Sequence, residues 1–180
     1  TDNEDTDAIS SDISEMEEMI DGYLAFAAGE GDEAPQELAV DDVLSRLVIQ
    51  VHKSHKFEMT LSPVKDDIPA FPMRRNAIQR AFSNIISNAI RYSTKTIVAI
   101  RIRNDEVIIT FDDNGAGIPQ ERRADAIRPF IRLEESRNRR TGGAGLGLSI
   151  TSDVILSHGG ELTLGDSSLG GLCVTLKLPV

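Results

Sequence analysis

Apolar positions follow three different rhythms along the 180 residues. Between Ile9 and Ala27 they recur as Ile9, Ile13, Met16, Ile20, Tyr23 and Ala27, spaced four, three, four, three, four. That is the a/d seam of a helix that packs against other helices, narrower than the stripe of a helix lying on a globular core. Acidic residues fill its outer faces, and one such helix cannot bury its seam alone, so the pattern predicts a helical hairpin or a dimeric bundle. Residues 29–35, Gly-Glu-Gly-Asp-Glu-Ala-Pro, carry too few apolar groups to order themselves and read as a linker.

From about Gln36 the rhythm changes. Asp41 or Asp42 can cap a helix running to about Lys53, with Val43, Leu44, Leu47, Val48 and Val51 inward. Phe57 to Leu61 alternates and predicts a strand. Ser62 to Pro72, with three prolines, predicts an irregular connection holding at most a short strand. Arg74 to Tyr92 predicts a long helix with Ile78, Ala81, Phe82, Ile85, Ile86 and Ala89 on one side. Thr96–Arg103 and Glu106–Asp112 read as strands about a tight Asn104-Asp105 turn. Residues 114–144 are rich in Gly, Arg and Glu and predict one long loop, a length usually tied to function or motion. A helix over Leu146–Ser157 and a hairpin of Glu161–Leu164 with Leu172–Leu178 close the chain. Adjacent strands joined by tight turns, mixed with helices, predict an α+β two-layer sandwich with helices on one face of a mixed sheet.

Charge sharpens the division. Residues 1–45 contain 15 acids and no Lys or Arg, so the net charge of −10 lies in the head and the rest of the chain carries +5. A net acidic chain is not expected to bind nucleic acid, while a mildly basic body can host an anionic small ligand. One cysteine, Cys173, excludes an internal disulfide and a cysteine-based zinc cluster, and fits a reducing compartment. The chain has no 18-residue apolar run and no signal-peptide pattern, and it begins at Thr1 rather than Met, which suggests an excised piece of a longer protein.

Three constellations carry chemistry. Thr141-Gly-Gly-Ala-Gly-Leu-Gly-Leu148 enters an apolar helix, where glycines let backbone N–H groups approach an anion. Leu148 stands where a P-loop needs Lys, and no G-x-G-x-x-G exists, so neither template applies. Asp112-Asp-Asn-Gly-Ala-Gly-Ile118 leaves a strand, and its carboxylate at the strand end could accept a hydrogen bond from an amino group of a flat ligand. A calcium loop fails here, because glycines replace ligands and no closing Glu is present. Asn84 and Asn88 share one helix face, i and i+4, just before Arg91 and Tyr92. An amide oxygen suits Mg²⁺, although taken alone the spacing is better explained by a pair of exposed helix amides.

In that order the motifs resemble the ATP-binding catalytic domain of bacterial sensor histidine kinases, in the superfamily shared with gyrase and mismatch-repair ATPases. The N-box is matched by Asn84–Tyr92, the first glycine box by Asp113–Gly117, the F-box by Pro129-Phe130-Ile131-Arg132, and the second glycine box by Gly143–Leu148. The resemblance covers about residues 8–180 and is nearest to osmosensor kinases of the EnvZ type, including the ending Gly170-Gly-Leu172 to Leu178-Pro-Val180. It implies a Bergerat-type fold over 36–180, and makes 1–28 the C-terminal part of a dimerisation helix. It implies that Asp113 takes the adenine amino group, with Gly117 allowing close approach. Asn88 would bind Mg²⁺ and Asn84 would lie beside the triphosphate, the two forming the catalytic pair. Arg91, Tyr92 and Arg132 would approach phosphate or sugar, and Gly143, Gly145 and Gly147 would offer backbone donors. Gly115, Ile118, Phe130, Ala144, Leu146 and Leu148 would complete the ATP site. Residues 119–144 would form a lid, mobile without nucleotide and carrying Arg137, Arg139 and Arg140.

The resemblance further implies homodimerisation, a response regulator as partner, and a cytoplasmic domain of an inner-membrane protein. Two departures bear on mechanism. His52, His55 and His158 lack the His-acid motif of the family's phosphoacceptor, so the acceptor is expected outside this chain. Asn84 also stands where the superfamily's hydrolases carry a general-base Glu, which favours transfer over hydrolysis. A nucleotide-binding switch without transfer, or an adaptor on the same fold, are the competing expectations.

Overall fold

A computed structural model describes residues 33–54, 57–64, 68–133 and 145–180. The seam from Ile9 to Ala27, His55, the lid arginines Arg137, Arg139 and Arg140, and Gly143 and Ala144 lie outside the described residues. The elements run in the order β1 (Gln36–Leu38), α1 (Val40–Ser54), β2 (Glu58–Leu61), β3 (Phe71–Met73), α2 (Arg75–Tyr92), β4 (Lys95–Arg103) and β5 (Glu106–Asp113). After a 3₁₀ turn at Gln120–Arg122 come α3 (Arg123–Ala126), α4 (Gly147–Ser157), β6 (Glu161–Asp166) and β7 (Leu172–Pro179).

The main sheet has the order β2-β4-β5-β7-β6, with β2 parallel to β4 and every other pair antiparallel. This is the mixed sheet the strand pattern predicts. Alternation along β4, β5 and β7 sends Val98, Ile100, Val107, Ile109, Phe111, Val174, Leu176 and Leu178 toward the helices, all buried. Residues of the other face, among them Arg101, Thr163 and Lys177, stay wet, and Lys177 pairs there with Glu161 directly across the β6–β7 ladder at 2.8 Å. The β4–β5 turn places Asn104 and Asp105 at φ 54° and 59°, the left-handed pair that a two-residue hairpin requires.

Helix α2 buries Ala77, Ile78, Ala81, Phe82, Ile85, Ile86 and Ala89. Phe82 meets Phe111 of the sheet with ring centroids 6.0 Å apart. Arg74, at its N-terminal edge, supplies no side-chain cap. The Glu33 carboxylate takes that role from before β1, accepting hydrogen bonds from Asn76 N at 2.8 Å and Ala77 N at 3.3 Å. An acid there satisfies two orphan donors and complements the helix dipole, an arrangement of about 0.5–2 kcal/mol.

β1 and the helical turns at 120–126 are absent from the sequence expectations, while β3 is the short strand that the Ser62–Pro72 connection allows. β1 pairs with β3 in a separate two-stranded sheet, Leu38 opposite Phe71 and Glu37 opposite Pro72. Three residues are too short to show alternation, and Pro72 is tolerated because the ribbon has only edges. Within the long loop, residues 120–126 coil into a 3₁₀ turn and a single helical turn. Arg123 holds that segment, its Nε donating to Ile118 O at 3.0 Å and its guanidinium pairing with Asp166.

Candidate functional site

The site forms where α2, α4 and the ends of β4, β5 and β7 converge. A small cleft is lined by Asn88, Thr96, Asp113, Leu148 and the apolar side chains of Ile85, Ala89, Phe111, Leu172 and Val174. Residues from three of the four motifs thus share one cavity, and its mostly apolar walls with few polar groups suit a flat heterocycle.

Asp113 ends β5 and is buried. Its Oδ1 accepts from Gly115 N at 2.8 Å and from Leu172 N at 3.0 Å, and its carbonyl accepts from Gly171 N at 3.2 Å. These bonds fix the carboxylate and leave Oδ2 without a protein donor among the described residues. The glycines beside it answer to packing. A Cβ on Gly115 would lie 2.5 Å from Tyr92 O, and Gly117 holds φ +67° with Gly171 O 3.2 Å from where its Cβ would be. Ile118 follows, half-buried, and its carbonyl receives Arg123.

On α2, Asn84 and Asn88 face the start of α4. Asn84 Nδ2 donates to Gly147 O at 3.3 Å. Both side chains lie 3.7 Å from a Cβ built on Gly147, Asn88 through its Nδ2. The amide oxygen of Asn88 is the hard donor that Mg²⁺ prefers, and no group of three His, Cys, Asp or Glu side chains gathers among the described residues to offer a different kind of cation site. Arg91 is half-buried and Tyr92 exposed at the end of the same helix. Helix α4 opens with no acid in its first turn and no side-chain cap, so the positive end of its dipole is not neutralised from within.

The F-box meets the second glycine box through the backbone. Phe130 N donates to Gly145 O at 3.1 Å, and a Cβ on Gly145, φ +67°, would sit 3.0 Å from Ile131 O. Phe130 itself has φ +63° and its side chain is 61 % exposed. Leu146 is buried, while Arg132 stays exposed. Sequence reasoning missed two contributors. The β6–β7 turn, through Gly171 and Leu172, builds the seat of Asp113, a contact made across 59 residues of chain that only pairing of β5 with β7 brings together. Thr96 reads in sequence as a strand former and nothing more. His158 is structural, as its sequence context suggests: its Nε2 accepts from Arg74 N at 3.1 Å, and its Nδ1 lies 2.7 Å from Val154 O. Burial pushes the Cys173 thiol above its ordinary pKa, a bond with Thr175 opposes this, and Asp112 and Asp113 add to the rise.

The fold and motifs define an ATPase-type nucleotide-binding domain, and residues 73–180 match the family described as histidine kinase-, DNA gyrase B- and HSP90-like ATPases. The chain belongs to that family and is homologous to sensor histidine kinases. It is 44% identical over 106 residues to the sensor histidine kinase CpxA of Escherichia coli, an overlap of 58% of this chain and 23% of CpxA. It is 30% identical to the sensor protein RstB of the same organism, over 98% of this chain and 42% of RstB. Among solved structures, the mycobacterial sensor histidine kinase MprB superposes with a TM-score of 0.65 at 25% identity, covering 81% of this chain and 97% of that one. The chain therefore spans about a quarter to under a half of these curated relatives.

Proposed function

We propose that this chain binds Mg²⁺-ATP and, within a longer protein, transfers the γ-phosphoryl group to a histidine outside this chain, for relay to a response-regulator aspartate. The observation that carries the reading is the convergence of Asp113, Asn88 and Leu148 on one apolar cleft beside the uncapped start of α4. In this reading Asp113 Oδ2 accepts a hydrogen bond from the adenine amino group, and Gly115, Gly117 and Ile118 border the base. The N–H groups around Gly143, Ala144, Gly145, Leu146, Gly147 and Leu148 face the phosphates. Arg91, Tyr92, Phe130 and Arg132 flank phosphate or sugar. Asn88 holds Mg²⁺ through its amide oxygen, and the ion neutralises phosphate charge and orients the transferred group.

Asn84 supports transfer over hydrolysis. An amide cannot take a proton from water, and here its Nδ2 is engaged with Gly147 O, so its part is to hold α2 against α4. The domain then works by positioning and charge neutralisation. The full protein is expected to dimerise through helices that include residues 1–28 and to sit in the bacterial inner membrane. Among the described residues no helix is long and apolar enough to cross a membrane.

The test has two stages. Calorimetric titration of this chain with ATP, with and without Mg²⁺, should show binding that Mg²⁺ strengthens. The longer protein should then incorporate γ-phosphate as an acid-labile phosphohistidine. Absence of nucleotide binding would make the chain an adaptor on this fold, and binding without transfer would make it a nucleotide switch.

A further inference from the structure

We propose that Arg123 is a positioning residue for the base side of the cleft: it ties the segment leaving Gly117 to the β6–β7 turn and so keeps the seat of Asp113 formed before nucleotide arrives. The inference rests on the ATP reading above. Arg123 opens α3, outside the cleft lining, yet its side chain is only 16 % exposed. Its Nε donates to Ile118 O at 3.0 Å, five residues back, and its guanidinium pairs with Asp166, 43 residues ahead. Asp166 ends β6 directly opposite Leu172 in the β6–β7 ladder, and Leu172 N donates to Asp113 Oδ1 at 3.0 Å. On the other side, Ile118 follows Gly117, whose φ is +67° and whose Cβ, were one present, would lie 3.2 Å from Gly171 O. Gly171 N in turn donates to Asp113 O at 3.2 Å. The contacts close a ring that runs from Asp113 through Gly117, Ile118, Arg123, Asp166 and Leu172 back to Asp113.

An ion pair with a carboxylate that is 90 % exposed contributes little to stability by itself. Its effect lies in geometry. The guanidinium is a planar fork, so one donor on Ile118 O and another on Asp166 fix the separation of the two segments, which the point charge of a lysine does not. The backbone bonds of the segment itself are local, Arg122 N to Pro119 O and Arg128 N to Asp125 O, and cannot hold it against the sheet. A seat that is formed only part of the time binds in proportion to that fraction, so loosening the ring weakens every ligand that carries the base. Charge gives a competing account, in which Arg123 is one more cation drawing in phosphates. The two differ in sign at Asp166. Removing its carboxylate strengthens binding of an anionic nucleotide if charge governs, and weakens it if position does.

The test titrates Mg²⁺-ATP and adenosine into the whole chain as wild type, Arg123→Ala, Arg123→Lys, Asp166→Ala and the double alanine variant. Arg123→Ala should weaken both ligands by the same factor, about fivefold or more, and Arg123→Lys should not restore them. Asp166→Ala should weaken both about threefold, and the double variant should bind no worse than Arg123→Ala alone, since both changes cut one ring. Hydrogen exchange at the Leu172 N–H should quicken in Asp166→Ala without nucleotide and return to wild-type protection at saturating ATP. A staple serving only residues 118–126 would leave Leu172 unchanged, and that result overturns the assignment. So does tighter ATP binding in Asp166→Ala, a loss for ATP but not adenosine in Arg123→Ala, full rescue by Arg123→Lys, or unchanged affinity throughout. Asp166 is exposed, so its variant decides the matter even where Arg123→Ala fails to fold. A wild type that binds neither ligand would instead overturn the ATP reading itself.

Discussion

Gly115 and Gly147 each adjoin residues that line the cleft, Asp113 and Leu148, yet a methyl group added to each would meet very different surroundings. At Gly115 it would collide with Tyr92 O at 2.5 Å and crowd Asp113 Oδ1 at 3.1 Å. At Gly147 its nearest neighbour would be Asn84 Cβ at 3.7 Å, ordinary contact. The first glycine segment is glycine-rich because the protein's own backbone crowds it, and its product is a carboxylate locked in place before any ligand arrives. No neighbour among the described residues demands glycine at 147, where the first helical turn would gain up to about 0.5–1 kcal/mol from Ala. In the proposed function the missing side chain there leaves room for the triphosphate.

The sharpest way to break this contrast is Gly171→Ala. Its Cβ would lie 2.2 Å from Asp113 Oδ1, 2.4 Å from Gly115 N and 2.6 Å from Asp113 O, all in the locked seat. We expect about 3 kcal/mol of destabilisation in urea unfolding, the upper range of overpacking, and loss of nucleotide binding. Asp113→Asn leaves Oδ1 able to accept from Gly115 and Leu172 but turns a donor toward the base amine. Affinity for ATP should fall by about 1.5–3 kcal/mol by calorimetry with little change in melting temperature, and unchanged affinity would remove Asp113 from the base.

Gly147→Ala tests the other region and should separate stability from binding. The chain should become about 0.5–1 kcal/mol more stable while ATP binds several-fold more weakly. A variant that gains stability and keeps its affinity would show that the start of α4 does not face the phosphates. The smallest effect is at Cys173. Its raised pKa means that the folded thiol resists ionisation, so iodoacetamide should react more slowly with the folded chain than with the urea-unfolded one near pH 8. The associated stabilisation is complete below an ordinary thiol pKa of about 8.5 and fades as pH climbs through the raised value. Equal alkylation rates in the two states would contradict this.

Much of the fold was legible because its elements are long and strongly patterned. The 3.6-residue rhythm marks α1, α2 and α4, and the alternation of β4 and β5 with a turn at Asn104-Asp105 marks the hairpin. The short β1 and the single turn of α3 escaped, and the bounds of the proline-bearing β3 stayed open, because their reasons are tertiary: pairing of Leu38 with Phe71, and the grip of Arg123 on Ile118 and Asp166. Asn88 and Asp113, which line the cleft, and Asn84 beside them were legible as candidates because their spacing is local. What holds them was not. Leu172 N on Asp113 Oδ1, Gly147 O on Asn84 and Thr96 opposite Asp113 depend on sheet register and helix contact, which no short stretch of sequence encodes.

Glu33 gives the domain an entry point with a defined reach. By holding the N–H groups of Asn76 and Ala77 it moors the chain before β1 to the first turn of α2. Asn88 lies twelve residues further along that helix, about 18 Å away at 1.5 Å per residue. Any segment before Glu33 that comes beside Asn88 must cover that span. At about 3.3 Å per extended residue the crossing takes at least five or six residues of slack. The mooring therefore acts as a ruler: it sets how far the chain ahead of Glu33 must reach to meet Asn88, while the seat of Asp113 is built by Gly115, Gly171 and Leu172.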